Sequence, residues 1–267
     1  MGQRVRLIGL ISLVFALAVL GYRALFGERP AHDLMVTSAE SATVLGASYG
    51  EPTKLEPGLI VGLNAVVRTS TNGSAALQYG DGAQIMLSEA TVMRVVAADA
   101  RGVGIELDEG VVTARVREGA PPLDVLSKSR TVRATDSDFT VMVSSKGAMS
   151  ALSQRGNLKL IGFGQQKQLN PGVTLHTDEA RGIVVEPVTE SLLLEVEWPE
   201  QKRTRLSAVE VTGRTDPYAS VTVGTGPEAV RVRSDRDGRF RASVNLREGV
   251  NEVELKVRDV AGREAVS

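Results

Sequence analysis

The chain has 267 residues, a formal net charge of −1 and no cysteine. The near-zero charge gives no indication of a nucleic-acid partner, and the lack of cysteine excludes thiol nucleophiles, disulfides and thiolate metal sites. The only two histidines, His32 and His176, stand far apart, and no Gly-x-Ser-x-Gly motif is present. The sequence therefore predicts no catalytic residue, no cofactor and no metal site.

The N-terminal segment has the pattern of one membrane-spanning helix. A run from Leu7 to Phe26, charged only at Arg23, would span about 30 Å as a helix, which matches the core of a bilayer. Basic residues in the tail 1–6 predict a cytoplasmic N-terminus. We therefore expect a single-pass inner-membrane anchor with the bulk of the chain in the periplasm. A signal peptide cleaved within the run, near residues 16–18 or 19–21, is the alternative.

Residues 27–40 are predicted to be a linker, and β-strands are predicted beyond it. Short runs of alternating apolar and polar residues are separated by glycine-containing turns. The clearest is Val66–Ser88, in which Gly80-Asp81-Gly82 predicts a hairpin turn and Asn72-Gly73 predicts a second turn before it. No later window has a 3.6-residue apolar stripe. We expect an all-β protein, with a rolled, solenoid-like or sandwich β domain over residues 41–180.

The order and spacing of several short motifs in this region resemble the FecR domain family. The motifs are Leu55-Glu56-Pro57-Gly58, Asn72-Gly73-Ser74-Ala75, Asp81-Gly82-Ala83, Leu107-Asp108-Glu109-Gly110-Val111, Asp138-Phe139-Thr140-Val141 and Leu169-Asn170-Pro171-Gly172. The resemblance covers residues 36–178 and implies an extracytoplasmic β module. Founding members of the family pass an outer-membrane signal through one membrane helix to a cytoplasmic segment that controls a sigma factor. A tail of residues 1–6 is too short for that segment. The resemblance here therefore implies the fold and the location of the domain, and only weakly a role in sigma-factor regulation.

A second β unit is predicted at residues 193–267, after a connector at residues 181–192. Its motifs Val211-Thr212-Gly213-Arg214-Thr215-Asp216-Pro217, Asp237-Gly238-Arg239-Phe240 and Glu248-Gly249-Val250-Asn251 resemble a bacterial Ig-like domain. The resemblance implies a compact β-sandwich that serves as a spacer or docking module. Trp198, near its start, is expected to be a core residue.

Four arginines of this unit form the candidate partner-docking face. Arg231, Arg233, Arg239 and Arg241 flank a predicted hairpin, and their alternation with apolar residues predicts that they share one exposed face. Arginine is enriched among the residues that dominate protein interfaces. The alternative is a solvated outer face whose charge is balanced by nearby glutamates.

Together these features favour a non-enzymatic envelope protein that acts as an interaction or scaffold module in the periplasm. Other envelope proteins are the expected partners. One alternative is a transmembrane sensor related to the FecR sigma-factor regulators. A second is a module that binds peptidoglycan or another carbohydrate, although an aromatic content of 4% offers little surface for stacking on sugars.

Overall fold

A computed structural model describes residues 33–46, 50–144, 147–178, 182–188, 191–199, 205–224, 228–235 and 237–267. The regular structure in these ranges is β throughout, as predicted. Within them, no helix has the length and apolar character needed to cross a membrane. The predicted tail 1–6 and anchor Leu7–Phe26 lie outside the described residues.

The described strands fall into two units. The first contains β1 (Leu34–Leu45), β2 (Thr53–Lys54), β3 (Val66–Tyr79), β4 (Ala83–Leu87), β5 (Val92–Asp99), β6 (Gly102–Val116), β7 (Leu123–Ser127), β8 (Arg130–Ala134), β9 (Ser137–Val143), β10 (Met149–Arg155), β11 (Leu158–Gly162), β12 (Gln165–Leu169), β13 (Val173–Asp178) and β14 (Gly182–Pro187). The second contains β15 (Leu194–Glu197), β16 (Ala208–Thr215), β17 (Ser220–Val223), β18 (Val230–Arg233), β19 (Arg239–Asn245), β20 (Leu255–Arg258) and β21 (Glu264–Val266).

The strands of the first unit belong to one sheet that encloses one apolar core. Strand β6 is its central member, since it pairs with β4, β5, β7 and β9. Side chains from across the sheet, including Leu77, Ile105 and Phe139, meet in the core and are almost completely buried. This core accounts for the period-2 pattern of the strands, because every second residue faces inward.

One of the two predicted turns is confirmed and the other is not. Tyr79 pairs with Ala83 around Gly80-Asp81-Gly82, so β3 and β4 form the expected hairpin. Asn72-Gly73 instead lies inside β3, opposite an irregularity in β1. A Cβ on Gly73 would collide with the backbone of Ser41, so the glycine allows two strands to approach closely and does not form a turn.

Two predicted boundaries also differ from the structure. Residues 34–40, assigned to the linker, are the first part of β1 and pair with β3. Residues 182–187, assigned to the connector, form β14 and pair with β13. Both segments are strands because they pair with a strand that is distant in sequence. Their own composition does not indicate this pairing.

The second unit consists of two antiparallel sheets, ordered β15-β16-β19 and β18-β17-β20-β21. Val211 and Phe240 from the first sheet pack with Val221 and Leu255 from the second in one core. Trp198 is 41% exposed and is not the core residue expected, since β15 ends at Glu197, one residue before it.

Candidate functional site

The second unit covers part of the outer face of the sheet that forms the first unit. In β9 and β10, consecutive residues are buried, whereas a strand with one solvated face would alternate. The inward residues of these strands belong to the main core. The outward residues Met142 and Leu152 form a separate cluster with Val260 of the second unit. This contact between the two units is the candidate functional site.

Arg233 of β18 lies at the centre of this contact. Its Nε donates a hydrogen bond to the carbonyl of Tyr218 at 2.7 Å, and its Nη1 donates to the carbonyl of Ala148 at 2.7 Å. Its Nη2 donates to Ser150 Oγ, and the guanidinium carbon lies 5.4 Å from the centre of the Tyr218 ring. Burial lowers the pKa of Arg233 to about 10, so the group remains charged at neutral pH. None of these partners is a carboxylate, so neutral dipoles stabilise the charge.

His176 of β13 completes the contact. Its Nδ1 lies 2.8 Å from Ser150 Oγ, and its ring centre lies 4.6 Å from that of Tyr218. Because the guanidinium of Arg233 can only donate, Ser150 Oγ accepts from it and directs its own proton to Nδ1. The neutral imidazole then carries its proton on Nε2. Burial, followed by the charge of Arg233, lowers the pKa of His176 to about 3.

The Ser150–His176 pair resembles a nucleophile and its base, but its surroundings indicate a structural role. With the second unit docked, Ser150 is 0% exposed and its hydroxyl is closed to a substrate. The same oxygen accepts a hydrogen bond from Arg233, which lowers its nucleophilicity further. In the described part of the chain, no three histidine or carboxylate residues are placed to bind a metal ion.

A groove of about 770 Å³ separates the two units beside this contact. The charged residues of its wall are Glu89 and Glu109 from the first unit and both basic and acidic residues from the second: Arg231, Arg233, Lys256, Arg258, Glu254 and Glu264. An ion pair crosses the groove, from Arg231 Nη2 to Glu89 Oε1 at 3.4 Å, with side chains 35% and 43% exposed. An ion pair this accessible to solvent contributes at most about 1 kcal/mol.

The structure does not place the four predicted docking arginines on one face. Arg231 and Arg233 lie on β18, towards the first unit. Arg239 and Arg241 lie on β19, which belongs to the other sheet, and both are exposed. The expectation of a single face is wrong, since the chain crosses from one sheet to the other between these strands. Docking of a partner by Arg239 and Arg241 stays a prediction.

The sequence motifs did not point to Ser150, His176 or Tyr218. One signal for them was present: Phe139–Val143 and Met149–Leu152 are nearly continuous apolar runs, and such runs are typical of strands buried on both faces. They indicate that something covers the outer face. They do not indicate which part of the chain does so.

Comparison with known proteins finds one family. Residues 65–158, about a third of the chain, match the model of the FecR protein family. A search of the curated proteins finds no match. Two crystal structures of a "putative anti-sigma factor from Parabacteroides distasonis ATCC 8503" are similar over 46% of this chain, with 18% identity and a TM-score of 0.41. The match spans 59% of that protein's chain, which is less than two thirds of its length.

Proposed function

We propose that this chain is a non-enzymatic signalling component of the cell envelope. Its FecR-type β domain senses a state outside the cytoplasm, and the apolar run Leu7–Phe26 anchors it in the inner membrane. The helix relays that state to a partner protein that contacts the tail 1–6. The observation that carries this proposal is the match of the FecR family model to residues 65–158, which contain the central strand β6 and much of the core. The FecR resemblance implies an extracytoplasmic module that signals through one membrane helix.

In this proposal the second unit is an Ig-like domain. Its two antiparallel sheets, which share one core, support that assignment. Its contact with the first unit through Arg233 means that a partner binding either unit would affect the other. The hydrogen bonds of Ser150 to Arg233 and His176 at this contact support a role in contact and relay.

A comparison of transcripts tests this function. One strain lacks the chain, and a second carries a chain in which residues 2–6 are exchanged for an unrelated stretch with two lysines. The lysines preserve the positive charge that orients the helix. We expect the same small set of transcripts to change in both strains. A control chain with Arg4→Lys and Arg6→Lys should signal normally. Unchanged transcription in the strain that lacks the chain would refute the proposal.

Scaffolding by protein contact is the second candidate, and the exposed arginines of β19 favour it. Arg239 is exposed, and Arg241 is 73% exposed with only a 3.6 Å ion pair to Glu210. Cross-linking in cells, followed by purification of the full chain, should then capture an envelope protein. The double variant Arg239→Glu/Arg241→Glu should no longer capture that envelope protein. Equal capture by this variant would remove these arginines as the docking face.

A further inference from the structure

We propose that the second unit is a releasable cover on the outer face of the first, and that protonation of His176 releases it. The inference goes beyond the proposed signalling function and does not depend on it, because it concerns an equilibrium of the isolated protein. It is carried by the geometry of Arg233, Ser150 and His176 at the contact between the units.

The contact is small and polar, so it is suited to release. Its apolar part consists of three buried residues with three half-buried ones packed against them, whereas dozens of residues form the main core. The buried residues are Met142, Leu152 and Val260, and the half-buried ones are Val111, Val188 and Ala261. Its central group, Arg233, is a half-buried charge whose hydrogen-bond partners include no carboxylate. The free energy lost by dehydrating the guanidinium therefore offsets much of the free energy of docking that its hydrogen bonds contribute. Contacts of this kind between domains of one chain commonly open and close.

His176 is placed where a second positive charge opposes docking. From the second unit, the groups packed against it are the guanidinium of Arg233 and the phenol ring of Tyr218. On its own sheet, its cross-strand neighbours are Ser150 on β10 and Val184 on β14, neither of which titrates. The contacts described around the imidazole therefore include a cation and no carboxylate.

Protonation changes this contact in two ways. It places an imidazolium beside the Arg233 guanidinium, so that two like charges repel in a poorly hydrated site. It also converts Nδ1 from an acceptor into a donor, so Ser150 can no longer donate its proton there. Release of the second unit relieves both effects. Arg233 moves away from the imidazolium, and water solvates the imidazolium and accepts the proton of Ser150.

The direction and size of the effect follow from linkage. The pKa of His176 is about 3 in the docked state, against 6.5 for an unperturbed histidine. Docking is therefore fully favoured above about pH 6.5, and it weakens as the pH falls from there towards 3. Between pH 7.5 and pH 5, the ratio of docked to released molecules should fall about 30-fold.

Oxidation of methionines by hydrogen peroxide measures this ratio in the full chain. Met142 lies under the cover and is 4% exposed, Met86 on the same sheet is 53% exposed, and Met149 in the core is 0% exposed. Oxidation requires access to the sulfur. The oxidation rate of Met142 relative to that of Met86 should rise from pH 7.5 to pH 5, by up to about 30-fold while the docked form predominates at both pH values. Met149 should stay protected, which distinguishes release from unfolding.

Two substitutions identify the titrating group. His176→Asn keeps an acceptor near the position of Nδ1 but cannot become charged, so its Met142 should oxidise at the same relative rate at both pH values. His32→Asn removes the only other histidine and should keep the full response. A relative rate of Met142 oxidation that does not change with pH in the wild-type chain would overturn the inference. An equal response in His176→Asn would overturn it as well.

Discussion

Replacement of Arg233 by alanine should uncouple the second unit from the first. The substitution removes three hydrogen bonds from a charged donor and one cation–π contact with Tyr218. Hydrogen bonds of this type contribute about 1.5 kcal/mol or more each, and the cation–π contact about 1 kcal/mol. Rehydration of the guanidinium in the unfolded chain offsets part of that sum. We therefore expect the free energy of unfolding of the second unit to fall by about 2–4 kcal/mol.

Urea unfolding followed by tryptophan fluorescence measures this loss. Trp198 is the only tryptophan and lies in the second unit, so its emission reports on that unit. Arg241→Ala is the matched control, because Arg241 lies on the opposite sheet and is largely exposed. The control should stay within about 0.5 kcal/mol of the wild type. If Arg233→Ala lost no more stability than Arg241→Ala, the proposed role of Arg233 in docking would be refuted.

Three further substitutions test the first unit. Gly110→Ala should lower the free energy of unfolding by more than about 2 kcal/mol, because Gly110 has φ of +103° and its Cβ would collide with Thr91. Phe139→Ala should lower it by about 3–5 kcal/mol, since the ring is 0% exposed in the core. Burial raises the pKa of the Asp138 carboxyl, but hydrogen bonds from two arginines outweigh it and hold that pKa below its usual value. The carboxylate therefore stabilises the fold above about pH 4, and Asp138→Asn should reduce the loss of stability between pH 5 and pH 2.

Denaturant unfolding at each pH measures all three effects. Gly119→Ala is the control for Gly110→Ala: its φ is +75°, but no atom lies within 4 Å of the added Cβ, so it should cost only about 1 kcal/mol. Equal losses of unfolding free energy in Gly110→Ala and Gly119→Ala would contradict the collision of the added Cβ with Thr91. A pH profile of Asp138→Asn identical to that of the wild type would contradict the role of its carboxylate.

Local features of the fold could be predicted because they depend on short stretches of chain. The Gly80-Asp81-Gly82 turn and the alternation of β4 are properties of neighbouring residues, and both are present. The same local reasoning failed at Asn72-Gly73. Its turn-forming residues lie within a long strand whose conformation is set by pairing with β1. The composition of residues 182–187 likewise predicts a connector, because it does not show the pairing of this segment with β13.

The candidate site could be predicted only in part, because it joins residues distant in sequence. The sequence pattern indicates Arg233, but it predicts that this arginine shares one face with three others, and the structure places them on two sheets. Its real partners, Ser150 and Ala148, precede it by more than eighty residues. Nothing local to His176 shows that another unit packs over it. The apolar runs in β9 and β10 indicate a covered face, and only the structure shows what covers it.

Carbodiimide cross-linking tests most directly whether the second unit docks on the first as described. Arg231 faces Glu89 across the groove at 3.4 Å, so Arg231→Lys places a primary amine beside that carboxylate. In the full chain at neutral pH, we predict an amide link between positions 231 and 89, identified by mass spectrometry. Arg241→Lys, on the other sheet, should give no link to Glu89. Absence of the link in Arg231→Lys, or equal linkage to Glu89 in Arg241→Lys, would contradict the docked arrangement.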